Sequence, residues 1–231
     1  MNKLKDRFSA KNITGVAVLL ALVIVLQAVG GTISLPGGVQ LNFTLIPIVL
    51  GTILFGEWVG AFLGLACGTV VVISLASQTG GFFSDVFLRT PVVTTLTCLV
   101  KTTVAGYLAG LFYKLIAKKS EIAGVFVASE TVPVINTLLF IVGCVIMELS
   151  GDLLRIEGYE GTNFIFFLLV VLVSFNFFIE LGINLVCAPA LNRVIKVIEK
   201  RTTKAIPLVD EEVSSEEEEE ISNEIDDSEV E

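Results

Sequence analysis

Three charged side chains lie inside stretches of the sequence that are otherwise apolar. They are Lys101 in "TCLVKTTVAGY", Glu130 in "VASETVPVINT" and Glu180 in "SFNFFIELGINL". Depths counted from the basic residues that flank each stretch, at about 1.5 Å per helical residue, place all three near mid-membrane. Charges at that depth are costly and are expected to face inward and to be paired. Two roles are open: a Lys–Glu pair that fixes helix packing, or a polar cavity in which Lys101 attracts an anionic or polar solute.

Amide side chains accompany these charges. Asn176, Glu180 and Asn184 follow one another at intervals of four residues, which places them on nearly one face of a helix. Asn136 follows Glu130 by six residues. We predict that Asn136 and Asn176 contact a bound solute and that Asn184 is structural. With two carboxylates for one lysine, the choice between Glu130 and Glu180 as the partner of Lys101 stays open.

A second polar group is expected at the outer surface. Asn42 follows the turn "LPGGVQ", and Arg89 follows the glycine-containing segment "GGFFSD". Glycine-rich outer loops are able to close over a bound solute, as lids do. The alternative is a pair of plain connecting loops.

The composition indicates an integral membrane protein without catalytic activity. Of 231 residues, 54% are hydrophobic, and the mean hydropathy of +0.85 exceeds that of most soluble domains. The chain has no histidine, which removes most metalloenzyme and His-based proton-transfer schemes. Its four cysteines form no C-x-x-C pair, and no phosphate-binding G-x-x-x-x-G-K-[ST] sequence occurs. We therefore predict no enzyme activity, no metal and no cofactor.

The apolar stretches predict an all-α bundle of six transmembrane helices. Stretches long enough to span, about 17–25 residues, lie at about 13–31, 91–113, 121–147 and 162–190, and a block at 41–77 is broken by "FGEWVG" into two spans. Twelve of the fifteen basic residues then fall on one side, which predicts that both termini are cytoplasmic. Residues 1–205 form the predicted membrane domain. The acidic segment 206–231 is predicted to be a disordered tail.

Small residues repeat at helical spacing in several spans. Gly60, Gly64 and Gly68 form one ladder, and 105–110 carries a similar one. Both are typical of close helix packing. Ala17 and Ala21 in the first span have the same spacing.

The segment "NFTLIPIVLGTILFGEWVGAFLGLACG" resembles the substrate-binding S component of energy-coupling factor (ECF) vitamin transporters, in which a P-I-x-x-G pattern and spaced glycines recur. The pair Ala17 and Ala21 matches a family A-x-x-x-A motif, which implies contact with a transmembrane coupling subunit. The resemblance covers about residues 10–200. It also implies two ATP-binding subunits as partners, a prokaryotic cell membrane, and capture of a vitamin from outside in a cavity between helices four to six. The segments "NFTLIPIVLG" and "VPVINTLLF" are nearest to pantothenate-type members.

A different class of transporter is the main alternative. A self-sufficient ion-coupled secondary carrier would use Glu130 or Glu180 as its proton site. Such carriers often have internal repeats and more helices, and the sequence shows no convincing repeat.

Overall fold

A computed structural model describes residues 10–30, 34–35, 39–40, 43–77, 82–149, 163–166, 168–169, 173 and 177–198. Helix α1 (Ala10–Gly30) leads into an antiparallel pair of short strands, β1 (Ser34–Leu35) and β2 (Val39–Gln40). The remaining helices are α2 (Leu45–Phe55), α3 (Glu57–Ser77), α4 (Phe82–Arg89), α5 (Pro91–Ala117), α6 (Glu121–Leu149), α7 (Phe164–Phe166) and α8 (Phe177–Ile198). Contacts divide the chain into two units, residues 1–191 and 192–231.

Five of the described helices are long and apolar enough to cross a membrane, namely α1, α3, α5, α6 and α8. The predicted second span corresponds to α2, whose 11 residues reach only about 16 Å, against a hydrocarbon core of about 30 Å. Residues 82–89, predicted as part of a break, form the amphipathic helix α4. The predicted tail, 206–231, lies outside the described residues.

The predicted turn at "FGEWVG" is confirmed. Helix α2 ends at Phe55 and α3 begins at Glu57, with Gly56 alone between them. Gly56 has φ of +99°, a conformation that side chains with a Cβ rarely adopt, and its N–H donates to Thr52 O at 3.0 Å. One glycine therefore reverses the chain.

Helices α3 and α5 pack against each other through small residues, as the ladders predict. Gly60 lies against the backbone of Gly106, and Gly64 against the backbone of Thr102. Gly68 continues the series against Cys98. The pairing is antiparallel, because residue numbers fall on one helix as they rise on the other. Backbones in such contact gain dispersion energy along the whole interface.

Helices α5 and α6 form an antiparallel hairpin whose register is fixed at both ends. Gly124 lies against Ala117 near the turn, and Gly143 lies against Thr97 near the other end. At the turn end, Lys114 forms an ion pair with Glu57 of α3, and Trp58 packs edge-on against Tyr107 at 5.2 Å between ring centroids. The α2–α3 turn and the α5–α6 turn therefore lie at the same end, which we call the turn end.

Helix α1 runs antiparallel to α2 and buries one face. Gly15 lies against Phe55 and Leu19 reaches Gly51, so residue numbers run in opposite directions. The buried face continues through Val23 to Gln27. The opposite face of the helix is exposed.

Candidate functional site

The side chain of Lys101 projects from the middle of α5. Ten residues separate it from Pro91, about 15 Å of helix, and sixteen separate it from Ala117, about 24 Å. Its ammonium lies 5.1 Å from the ring centroid of Phe140 on α6, a cation–π contact. Within the part of the chain that the structure describes, Lys101 forms no ion pair with Glu130 or Glu180. Among the described residues, its positive charge is therefore held by an aromatic face and not by a carboxylate.

Glu130 does not lie level with Lys101. The prediction that both side chains lie at the same depth in the membrane is therefore wrong. The α5–α6 register places Lys101 beside Phe140, ten residues along α6 from Glu130, or about 15 Å. Glu130 instead lies level with Gly110, which touches Glu57 at the turn end. The error has a physical cause: Lys119 lies in the turn at 118–120, whereas Lys114 lies inside α5, so equal counts from these two anchors do not give equal depths.

Glu180 is almost completely buried on α8, with 1% of its surface exposed. It lies within electrostatic range of the Cys67 thiol on α3, and so does Lys101. One turn further along α8, Asn184 is equally buried, and its Nδ2 donates to the backbone oxygen of Glu180 at 2.8 Å. That bond is of the kind expected for a structural amide. Asn176, the third member of the predicted stripe, lies outside the described residues.

A triangle of buried polar side chains joins α1, α2 and α3. Thr44 Oγ1 donates to Gln27 Oε1 at 3.2 Å and lies 3.3 Å from Cys67 Sγ. Cys67 Sγ in turn lies 3.5 Å from Gln27 Oε1. All three side chains are buried. We call Gln27, Thr44, Cys67, Lys101 and Glu180 the polar centre, because Cys67 brings the triangle within electrostatic range of both charges.

Sequence reasoning missed the triangle. Gln27 is the one amide among the apolar residues 15–30, and this was the available signal. Cys67 belongs to no C-x-x-C pair, and its sequence context predicts no other role. Among the described residues, no cluster of three or more His, Cys, Asp or Glu is placed to hold a metal ion.

A second polar surface lies on α6, on the face that turns toward α5. Asn136 is 3% exposed and stands seven residues before Gly143, which contacts Thr97 of α5. Ser129 stands a further seven residues back and is fully buried. Asn136 Oδ1 and Ser129 Oγ have no hydrogen-bond partner within the described ranges. Asn136 is one turn from Phe140, so an unsatisfied acceptor lies near the Lys101 ammonium.

Proline adds to the polarity of this face. Pro133 lies inside α6 and has no N–H, so the carbonyl of Ser129 loses its usual helical partner. Buried polar atoms are nearly always satisfied, by protein, by water or by a ligand. The face around Ser129 and Asn136 is therefore suited to contact with a polar molecule.

The two predicted outer residues are not brought into the polar centre. Arg89 is exposed and ends α4, about 15 Å of α5 away from the level of Lys101. Asn42 lies outside the described residues.

Ala17 and Ala21 lie on the exposed face of α1. Bulky apolar side chains surround them, with Val18 62% exposed and Val25 56% exposed. The two alanines therefore form a shallow depression on an apolar helix face. Such a depression admits another helix at close range.

Comparison with known proteins gives one match. A family model described as "ECF transporter, substrate-specific component" matches residues 11–192. No curated protein and no solved structure matches the chain. The matched range contains the whole polar centre and the exposed alanines of α1.

Proposed function

The chain belongs to the family of ECF transporter substrate-specific components, and we propose that it is the high-affinity subunit of an ATP-driven importer, which captures a vitamin or related small molecule from outside. Binding of the solute beside Lys101 precedes its delivery inward with partner subunits. The bound solute contacts Lys101, Asn136 and Asn176, with Glu180 beside them. Asn42 and Arg89 belong to the outer loops that close over it.

The ammonium of Lys101, which forms no ion pair among the residues that the structure describes, is the observation that carries this proposal. An amine at mid-membrane is costly unless an anion compensates its charge. Phe140 supplies only part of that compensation, about 0.5–2 kcal/mol for a cation–π contact. A carboxylate of the solute completes it through a charge-assisted hydrogen bond. The proposed solute is therefore an anionic vitamin, and the resemblance of α2 and α6 to pantothenate-type members makes pantothenate the first candidate.

The proposed topology has six crossings with both termini in the cytoplasm of a prokaryotic cell. Helix α2 completes the second crossing together with the chain that precedes it. The basic residues support this orientation, because Lys114, Lys118 and Lys119 lie at the turn end, where Gly15 near the start of α1 also lies. In this proposal the membrane domain comprises residues 1–205. Residues 206–231 form a separate acidic tail.

The exposed face of α1 is the proposed docking surface for the transmembrane coupling subunit. Ala17 and Ala21 allow a partner helix to approach, and two ATP-binding subunits complete the complex. An S component of this kind needs no nucleotide site of its own. The absence of a G-x-x-x-x-G-K-[ST] sequence agrees with this division of labour.

One experiment tests the proposal directly. The purified chain is heated in detergent with pantothenate, biotin, nicotinate, thiamine or riboflavin, because a ligand that binds only the folded state raises the melting temperature. We expect one of these vitamins to raise it, and a carboxylate vitamin to give the largest shift. If none does, the proposed function is wrong. Uptake by the chain alone in liposomes under a proton gradient would instead establish the ion-coupled carrier.

A further inference from the structure

The amide oxygen of Asn136 is buried on α6 without a hydrogen-bond donor. The side chain is 3% exposed, and its Oδ1 has no partner among the described residues. A buried polar atom in that state costs about 1–3 kcal/mol, so such atoms are nearly always satisfied by protein, by water or by a ligand. Because an amide oxygen accepts hydrogen bonds and donates none, the partner of Asn136 Oδ1 has to supply an N–H or an O–H.

The neighbouring part of α6 also lacks donors. The backbone carbonyl of Ser129 would normally accept from the N–H of residue 133, but that residue is Pro133 and has none. Ser129 lies on the same face of α6 as Asn136, two turns nearer the turn end. A carbonyl oxygen only accepts, so this face of α6 requires hydrogen-bond donors whichever way the amide of Asn136 is turned.

The site of this acceptor lies next to the cation of the proposed binding site. The α5–α6 register described above places Asn136 opposite Val104 and Ala105, one turn along α5 from Lys101. Neither of those two side chains has a polar atom, so α5 supplies no donor there. On α6, Phe140 contacts the Lys101 ammonium and is four residues, about 6 Å of helix, from Asn136. A cation and an unsatisfied acceptor therefore lie about one helical turn apart.

We propose that the site selects a monocarboxylate that carries a hydroxyl or N–H donor about 6 Å or more beyond its carboxylate, with the carboxylate at Lys101 and the donor at Asn136 Oδ1. This inference rests on the proposed function, and it names the feature that separates the solute from other carboxylates. Asn136 is then a residue that determines specificity. Pantothenate and biotin carry such donors, whereas lipoate and nicotinate carry none.

These four monocarboxylates provide the first test, which uses the unaltered chain. Biotin and lipoate share a pentanoate arm, but only biotin has N–H groups at its far end. Nicotinate has a ring nitrogen that only accepts. Affinities are measured by calorimetry on the purified full chain. We expect either biotin or pantothenate to bind roughly tenfold or more tightly than both lipoate and nicotinate, because a ligand without a donor leaves the buried acceptor unsatisfied.

A pair of variants on α6 provides the second test. Asn136→Leu keeps a similar volume and removes the acceptor, so it should weaken binding of the donor-bearing vitamin roughly three- to tenfold, as for one neutral hydrogen bond. It should not weaken binding of lipoate or nicotinate, so the preference for a donor shrinks. Thr131→Val is the matched control, because it removes a bond from Thr131 Oγ1 to Val127 O at 2.7 Å on a different side of the same helix. That variant should leave the preference unchanged.

The outcomes separate the inference from the proposed function. The inference is wrong, and the proposed function stands, if lipoate or nicotinate binds as tightly as the better of biotin and pantothenate. The same holds if Asn136→Leu leaves the preference for a donor unchanged, or if Thr131→Val reduces it equally. Binding of only thiamine or riboflavin would also overturn the inference alone. A wild-type chain that binds no vitamin overturns the proposed function and the inference together.

Discussion

Gly60 of α3 and Gly106 of α5 meet backbone to backbone. A Cβ added at Gly60 would lie 2.6 Å from the carbonyl oxygen of Gly106, and a Cβ added at Gly106 would collide with the carbonyl of Gly60. The contact is reciprocal, so neither residue tolerates a side chain while the helices keep their distance. Thr52 strengthens the same point by donating to Gly106 O.

The first prediction concerns this contact. Gly106→Ala should lower the free energy of unfolding by about 1–3 kcal/mol, because the added methyl group overpacks a contact between two backbones. Thermal unfolding in detergent measures the effect. The matched control is Gly182→Ala on α8, where a Cβ meets no atom within 4 Å and alanine favours the helix. Equal melting temperatures for the two variants would contradict the observed packing.

The second prediction concerns Lys101. Lys101→Met keeps the length of the side chain and removes the charge, so the affinity for a carboxylate vitamin should fall roughly tenfold or more, the value of a charge-assisted hydrogen bond. Calorimetry on the purified chain measures it. Lys114→Met is the control, because Lys114 pairs with Glu57 at the turn end. Unchanged affinity in Lys101→Met would reduce Lys101 to a structural residue.

The third prediction separates the roles of Glu130 and Glu180. Glu130 lies about 15 Å along α6 from the level of Lys101. Glu130→Gln should therefore leave vitamin affinity unchanged. Glu180→Gln should alter it, because Glu180 belongs to the polar centre. A large loss in Glu130→Gln alone would show that the ligand site lies at the turn end.

The fourth prediction concerns the exposed face of α1. Ala17→Trp or Ala21→Trp should abolish assembly with the coupling subunit and abolish uptake, because a bulky ring fills the depression, while vitamin binding by the isolated chain is retained. Co-purification of the complex and calorimetry give the two readouts. Ile73→Trp, on the exposed face of α3, is the control. Normal assembly of both alanine variants would refute this docking surface.

The fifth prediction concerns the acidic tail. Thirteen of the 24 acidic residues lie in 210–231, and the segment has no apolar periodicity. Deletion of 208–231 should leave vitamin uptake by the assembled complex unaffected, because the polar centre and α1 lie elsewhere in the sequence. Loss of uptake would show that the tail has a role in transport.

Sequence patterns predicted which helices pack together better than they predicted how deep a side chain lies in the membrane. The glycine ladders gave the α3–α5 contact because a small side chain has one structural effect, close approach, wherever it lies. The depth of Glu130 depended on how many residues the α5–α6 turn consumes, which periodicity does not contain. The helix start at Glu121 and the contact of Gly124 with Ala117 determine it.

The polar centre was predictable only in part. Lys101 and Glu180 were identified because a charge in an apolar span is conspicuous. Gln27, Thr44 and Cys67 were not identified, because none of them stands out from its neighbours in the sequence. Their contact arises only where α1, α3 and the start of α2 pack together. Residues separated by 17 and 23 positions form one triangle, and single-sequence reasoning has no access to that pairing.

The edge-on contact between Trp58 and Tyr107 gives the protein an intrinsic fluorescent reporter at the α3–α5 interface. Trp58 is the chain's single tryptophan, is 67% exposed, and lies one residue from the Glu57–Lys114 ion pair. Tyr107 is on α5, the helix that carries Lys101. The indole emission therefore comes from one known place, where α3 meets α5. Any sliding of those helices changes the environment of that chromophore, so the motion is visible without an attached dye.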